Sequence, residues 1–164
     1  MNELANKISS YQIFNYLAPG IIFSYFFDNY IGWGVELIQS NLLIAFFVYY
    51  FLGATINRVG SVILLNCMER IFDIKPAPYN DYLEAEELDK KIAILSEINN
   101  MYRSFFSLFF ILLVLSIIKV FTDYSNQTLV VSTVFFGLIV LYGFYCKKQT
   151  NFISKRVNNA IKKS

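Results

Sequence analysis

The sequence contains no histidine, the side chain most often used as a catalytic base and as a metal ligand. Its two cysteines, Cys67 and Cys146, are too few for a disulfide framework and belong to no CxxC or Cys/His group, so we expect free, buried thiols. It also has no glycine-rich phosphate loop, GxSxG, HExxH or paired intramembrane carboxylate. These absences exclude the familiar catalytic constellations, and we predict that the protein is not an enzyme and uses no cofactor or metal.

Charge is also scarce, because only 16% of the 164 residues are charged while 56% are hydrophobic and the mean hydropathy is +0.47. A soluble domain of this size is not normally so apolar. Aromatic residues make up 18% of the chain, and such rings suit both a hydrocarbon interior and the headgroup boundary. The composition therefore predicts an integral membrane protein.

Candidate membrane spans are marked by four stretches without a charged residue, at positions 11–27, 42–56, 105–118 and 129–146. Some are shorter than the ~20 residues that a hydrocarbon core requires, but flanking basic residues such as Lys119 extend them by snorkelling. The stretches are apolar on all faces, which favours membrane spans over the core helices of a small soluble bundle. We predict an all-α membrane protein with four transmembrane helices.

The basic residues lie on one side of these spans. One lysine precedes the first span, residues 28–41 contain none, and the loop after the third span has only Lys119. By contrast, six basic residues occupy positions 58–103 and six follow Cys146. Cytoplasmic loops retain positive charge, so both termini and the central segment are predicted to be cytoplasmic.

Residues 1–58 and 104–146 are thus predicted to be membrane regions, with residues 59–103 as a cytosolic helical hairpin, or crown, between them. The apolar spacing after Arg58 predicts that the second helix continues to position 72 and projects into the cytosol. The tail, residues 147–164, is predicted to extend the fourth helix as a basic cytosolic helix.

The second half of the crown is predicted to be one helix that begins at Asn80 or Asp81, after two prolines, and runs straight into the third span. Its apolar positions recur at spacings of three and four, as one packed helix face requires. They are Leu88, Ile92, Leu95, Ile98, Tyr102 and Phe105.

Polar and small residues inside the first two spans are candidates for a pore or gate. Pro19 and Gly20 predict a kink in the first helix, with Asn15 one turn earlier to bond a freed carbonyl. This kink is either a hinge or a static bend. Gly53 and Asn57 lie on part of one surface of the second helix, which either packs against a neighbour or lines a pore.

Basic residues of the crown are candidates for binding an anionic signal when several copies meet around an axis. They are Arg70, Lys75, Lys90, Lys91 and Arg103. The alternative is a solvated helix face with intrahelical ion pairs, because eight acidic residues accompany them. In the tail, Lys148, Lys155 and Arg156 either contact such a ligand or attract anionic lipid headgroups.

The segments YQIFNYLAPG, residues 11–20, and APYNDYLEAEELDKKIAILSEINNMYRS, residues 77–104, together with the plan of four spans, resemble the small membrane effector subunits of bacterial antiphage defence operons, such as the Hailong and Kiwa systems. This resemblance implies a homo-oligomer, a tetramer, in the bacterial inner membrane. It further implies gating by a single-stranded oligonucleotide made by a nucleotidyltransferase, or by a cytosolic partner protein.

The leading hypothesis from the sequence is therefore a homo-oligomeric channel or effector in antiviral defence, surrounded by membrane lipid and gated at the crown. The alternative is a non-conducting membrane anchor or sensor that recruits a cytosolic partner enzyme. A small transporter ranks last, because the spans lack an intramembrane carboxylate and a pair of matched broken helices.

Overall fold

The computed structural model describes residues 10–123 and 125–162, with side chains from Asn15 onward. The described chain is helical and has no strand. Its α-helices are α1 (Ser10–Phe26), α2 (Leu42–Val59), α3 (Leu65–Phe72), α4 (Tyr79–Leu88), α5 (Lys91–Thr122) and α6 (Asn126–Ile161). A π-helical segment, Phe27–Ile31, follows α1, and a second, Gly60–Leu64, joins α2 to α3. Residues 1–9 of the N-terminal tail and 163–164 of the basic tail lie outside the described residues.

Three helical runs are long and apolar enough to cross a membrane: Leu42–Phe72, Lys91–Thr122 and Asn126–Ile161. The prediction of an all-helical chain is confirmed for the described residues, and three such helices are compatible with a multi-pass membrane protein. α6 continues without interruption to Ile161, so residues 147–161 of the tail are helical, and their cytosolic placement stays a prediction.

Local side chains explain where the spanning helices begin. Asn41 accepts hydrogen bonds from the backbone N–H groups of two residues in the first turn of α2, and Ser125 accepts one at the start of α6. Both act as N-caps, which satisfy donors that a helix leaves unpaired. Asp28, in the first π-helical segment, accepts from the backbone N–H groups of Leu37 and Ile38 and so fixes the loop before α2.

The second π-helical segment turns the chain, so that α3 lies across the bundle. Gly60 packs against Ser107 of α5, yet the ring of Phe72, at the end of α3, packs on Phe106 of the same helix and against Gly143 of α6. Twelve helical residues would advance about 18 Å if they ran straight. The prediction that the second helix projects into the cytosol is therefore wrong: the helix continues to Phe72, but it runs sideways.

The helix that was predicted to run from Asn80 or Asp81 into the third span is also interrupted. It starts earlier, at Tyr79, and ends at Leu88, and Asp89 has an extended backbone before α5 begins. The Asp89 carboxylate accepts from the backbone N–H of Lys91, which stabilises a new helix start at the expense of the old one. Because of this break, Leu88 does not join the packed face and is 54% exposed.

The described residues form two hydrophobic cores. The larger one holds α1, α2, α5 and α6 together and includes Leu108, Leu112 and Phe135. The smaller one is built from Ala85 of α4, Ile92 of α5 and two residues of α6, Ile153 and Val157. We call the first region the bundle and the second the cap. Of the described helices, only α5 and α6 belong to both.

Candidate functional site

The α1–α2 contact is held by two glycines that approach the opposite backbone. A Cβ atom at Gly20 would lie 1.8 Å from the carbonyl oxygen of Tyr49, and one at Gly53 would lie 1.6 Å from that of Tyr16. Glycine is required at both positions because any side chain would collide with main chain. Of the predicted pore or gate residues, Gly20 and Gly53 are thus brought together in a packing contact within the subunit, and Pro19 is buried beside Gly20.

Asn15 is also inside the protein, at 5% exposure. Its side-chain oxygen has no hydrogen-bond partner among the described residues, and the same is true of the Asn99 side-chain oxygen. An unsatisfied buried acceptor lowers the stability of the folded state by about 1–3 kcal/mol, so both asparagines destabilise the fold.

A layer of polar side chains connects α2 with α5 on the side of the bundle that faces the cap. The Asn57 amide donates to the Ser104 hydroxyl, which in turn donates to the Asn100 carbonyl at 3.0 Å. Arg103 donates to the Asn100 side chain at 2.6 Å, and Ser107 donates to the Arg103 carbonyl at 3.0 Å. We call these five residues the polar layer. Asn57 is therefore half-buried and bonded within the chain.

Further polar contacts join α5 and α6 between the polar layer and the cap. Asn99 donates to the Thr150 hydroxyl at 3.2 Å, and Gln149 donates to the Leu95 carbonyl at 3.1 Å. Such bonds between adjacent helices fix their relative rotation, because each donor reaches only one acceptor position.

The cap is closed by an ion pair. The Arg156 Nε atom lies 2.5 Å from a carboxylate oxygen of Asp89. This hydrogen bond holds the pKa of Asp89 below its ordinary value, and the Lys91 backbone N–H lowers it further. Arg156, which the sequence placed at the membrane surface or at a ligand, thus ties α6 to the start of α5. Tyr82 adds a second contact by donating to Ser96 at 2.9 Å.

The predicted crown residues for an anionic signal do not form one cluster. Arg70 and Lys75 line the same shallow cavity, of about 440 Å³, but Glu69 and Asp73 line it as well. Lys75 lies 3.1 Å from Asp73 and holds the pKa of that carboxyl below its ordinary value. The cavity is therefore electrically balanced. The other three residues lie elsewhere, with Lys90 and Lys91 exposed at the start of α5 and Arg103 in the polar layer.

A more basic groove follows α6 where that helix passes from the bundle to the cap. Its volume is about 760 Å³, and its lining includes Lys148 and Lys155 from the predicted set together with Lys147. Phe144 and Phe152 also line it and are both more than half exposed. The structure thus combines three ammonium groups with two aromatic rings on one side of α6.

The sequence prediction missed Ser104, Asp89 and Lys147 as site residues. Asp89 carried a usable signal, because Asp before a helical segment is a common N-cap. The prediction that both thiols are buried is wrong for Cys67, which is exposed, whereas Cys146 is buried as expected. The described residues contain no group of His, Cys, Asp and Glu side chains that could hold a metal ion.

Comparison of the chain with protein-family models, with curated proteins and with solved structures finds no significant match.

Proposed function

We propose that the protein is a homo-oligomeric membrane effector of four spans that conducts ions when a cytosolic signal acts on the cap. The observation that carries this proposal is the continuity of α5 and α6, which run unbroken for 32 and 36 residues and contribute to both cores. A change in how α4 packs on these helices is transmitted to the bundle without an intervening loop. The cap is the receiving part and the bundle the responding part.

The proposed topology adds α1 and its π-helical segment as the first span and places both termini, the cap and the basic tail in the cytoplasm. Basic residues support this orientation: Arg58, Arg103 and Lys147 lie toward the cap, and Lys119 lies at the opposite end of α5. At that opposite end Lys119 donates to the Ile31 carbonyl at 2.9 Å. Its ammonium group thus lies at the C-terminal end of the π-helical segment, where the helix dipole is negative.

The polar layer is the proposed point of regulation. Its amide and hydroxyl groups lie between apolar surfaces, where hydrogen bonds are strong and alternative pairings are discrete. A small rotation of α5 relative to α2 would exchange the Asn57–Ser104 bond for another partner. Such a two-state contact is how a packed interface amplifies a small movement.

The conduction path is proposed at the outward face of α2, because Gly53 and Asn57 face the interior of the subunit. Phe51, Thr55 and Arg58 are exposed there at spacings of four and three residues. When several copies meet along this face, Thr55 and Arg58 form polar rings, and a ring of arginines favours anions. A tetramer in the bacterial inner membrane and a role in antiviral defence are supported by the family resemblance alone.

An anionic signal such as a single-stranded oligonucleotide fits the groove lined by Lys147, Lys148 and Lys155 better than the balanced cavity at Arg70 and Lys75. Three ammonium groups beside two exposed rings combine charge attraction with a surface for base stacking. A cytosolic partner protein is the other proposed signal, and the exposed side of α4, at Leu83 and Glu87, offers it a surface.

Planar-bilayer recording of the purified protein tests the proposal. We expect currents whose anion-to-cation permeability ratio falls several-fold in Arg58→Gln, because the ring loses its charge. The matched control is Arg70→Gln, which removes an exposed arginine from α3 and leaves the permeability ratio unchanged. No current under any signal or partner condition, with correct insertion shown by protease protection, would refute conduction.

A non-conducting anchor that recruits a cytosolic partner enzyme is the second candidate. It is favoured by the fact that Ser104, Ser107 and Ser116 all donate to carbonyls of their own helix, so these hydroxyls are already satisfied inside the subunit. An anchor keeps its partner and its cellular effect in Arg58→Gln, whereas a channel that uses Arg58 changes both its current and its effect.

A further inference from the structure

We propose that α3 is an interfacial helix whose exposed apolar edge is buried in the cytosolic leaflet of the membrane. The partner of this surface is therefore phospholipid. The inference uses the orientation of the bundle in the membrane but is independent of whether the protein conducts.

The contacts of α3 with α5 fix its depth along the bundle. Both ends of the segment from Gly60 to Phe72 contact α5 at neighbouring residues, Ser107 and Phe106. These positions lie about 15 residues from the outer end of α5, at Thr122, which corresponds to roughly 23 Å of helix. Since the hydrocarbon core is about 30 Å thick, α3 runs across the bundle close to the inner boundary of the hydrocarbon.

The side chains around α3 are partly covered by the bundle and partly exposed. Met68 is buried in the bundle core, and Phe72 packs between Phe106 and Phe144. The remaining surface has two edges. One edge carries Cys67 and Ile71, spaced by four residues, and Ile71 is 73% exposed. The preceding turn extends this edge with Ile63, which is 62% exposed. These large apolar side chains have no covering partner among the described residues.

Within α3 the other edge is polar, and Val62 of the preceding turn, 75% exposed, is a further apolar side chain at the surface. Asn66 and Arg70, spaced by four residues, are both exposed, and Glu69 lies beside them. An amphipathic helix that lies in the interface places apolar residues toward the acyl chains and lets a basic side chain reach the phosphates. Arg70 and Lys75 therefore have a role at the headgroups that does not require them to form an anion-selective crown.

Lipid fits this edge better than a second copy of the chain. Two side chains of the eight-residue α3 and one of the preceding turn bury on the order of a few hundred Å², whereas a stable protein interface buries about 1,200 Å² or more. The edge also continues into a surface that already faces outward, because Phe72 contacts Phe144 of α6, which is 58% exposed.

Cys67 provides the test, since it lies on the apolar edge and can be labelled in the full-length protein. With Cys146→Ala as background, we attach the environment-sensitive dye NBD to Cys67 and reconstitute the protein in vesicles of zwitterionic and anionic phospholipid. We expect blue-shifted emission and at least a roughly twofold loss of fluorescence with lipids that carry a nitroxide near the headgroup, and little quenching by aqueous iodide.

Two control positions are labelled in a Cys67→Ala, Cys146→Ala background. Asn66→Cys lies on the polar edge of the same helix and should be quenched more by iodide and less by the nitroxide lipid. Glu87→Cys, exposed on α4 of the cap, should respond to iodide alone. Ile71→Cys repeats the apolar-edge measurement one turn later, in case labelling at position 67 disturbs folding.

Water-like emission and iodide quenching at both Cys67 and Ile71→Cys would overturn the proposal. Protection from both quenchers, together with an oxidative Cys67–Cys67 crosslink between subunits, would assign the edge to a second copy and would overturn it as well. Bilayer recordings of the same preparation report on conduction separately, so a failure of either idea is recognisable by itself.

Discussion

Replacing Gly53 by alanine should separate α1 from α2. The new methyl carbon would lie 1.6 Å from the Tyr16 carbonyl oxygen, about 1.4 Å short of the 3.0 Å below which real contacts are essentially never found. The colliding atom belongs to the main chain, so no side-chain rotation relieves the clash. The two helices must move apart, and a gap of about 0.5–1 Å already removes a quarter to a half of the dispersion energy between facing atoms. Overpacking of this kind lowers the stability by about 3 kcal/mol, which is roughly a hundredfold in the folding equilibrium.

The assay is titration of the protein in mixed micelles with sodium dodecyl sulfate, monitored by tryptophan fluorescence. Trp33 is the single tryptophan in the sequence, and it packs edge-to-face on Phe27 with ring centroids 6.0 Å apart, just beyond α1. Its signal therefore follows the release of α1 from the bundle. We expect the midpoint for Gly53→Ala to fall well below that of the unmodified protein.

Gly137→Ala is the matched control, because a Cβ atom there meets nothing within 4 Å and the substitution improves helix propensity by up to about 1 kcal/mol. Gly20→Ala should behave like Gly53→Ala, since its Cβ would lie 1.8 Å from the Tyr49 carbonyl. The double variant should lose less stability than the sum of the losses in Gly20→Ala and Gly53→Ala, because one separation of α1 from α2 relieves both clashes. Equal midpoints for Gly53→Ala and Gly137→Ala would refute the close contact.

Three further predictions concern the cap and the polar layer. Ile92→Ala should destabilise the cap by about 2–4 kcal/mol through a cavity in its small core, seen as faster hydrogen exchange in α4 with the bundle unchanged. Arg156 lowers the pKa of Asp89 in the folded state. The ion pair therefore stabilises the cap above the unfolded pKa of about 4, and this stability is lost as the pH falls through the lower folded pKa. Arg156→Gln should flatten this acid dependence of hydrogen exchange in the cap, and an unchanged pH profile would contradict the ion pair. Asn57→Leu should lower the free energy of unfolding by only about 0.6 kcal/mol in the detergent titration, because Ser104 keeps its hydrogen bond to its own helix. Complete unfolding of this variant would contradict the prediction and show that the polar layer holds the bundle together.

The spanning helices could be predicted because lipid imposes a simple rule on sequence. A helix in hydrocarbon cannot carry uncompensated charge, so uncharged stretches of sufficient length stand out without any knowledge of tertiary structure. This is why the cores of α2, α5 and α6 agree with stretches 42–56, 105–118 and 129–146. Their extensions beyond the membrane were harder, because the rule no longer applies there.

The sideways course of α3 could not be predicted from residues 59–72. The Gly60–Ser61 pair marks a position where a helix can bend, but the direction of the bend depends on contacts with α5 and α6 that are distant in sequence. The break at Asp89 is different, since the capping preference of aspartate was visible but competed with a regular apolar spacing. Tertiary contacts through Arg156 favour the break.

In the candidate site, too, the sequence indicated which residues are unusual but not what they contact. The sequence identified Gly20, Gly53 and Asn57 as unusual for membrane helices, but it could not say which face of each helix would be covered. The structure places all three on covered faces, where they support packing or internal hydrogen bonds. Whether a small or polar residue packs or lines a pore depends on its neighbours, which composition and spacing do not contain.

The Lys119–Ile31 hydrogen bond gives the two ends of the bundle unequal freedom of movement. At the outer end, α5 is fastened to the segment that follows α1, and Asp28 fastens the next loop to the same segment. At the inner end, the polar layer joins α5 to α2, and its Asn57–Ser104 bond is made by two side chains that can change partners. In the proposed effector, a movement that spares the outer bonds would therefore pivot α5 about its outer end and exchange the bonds of the polar layer.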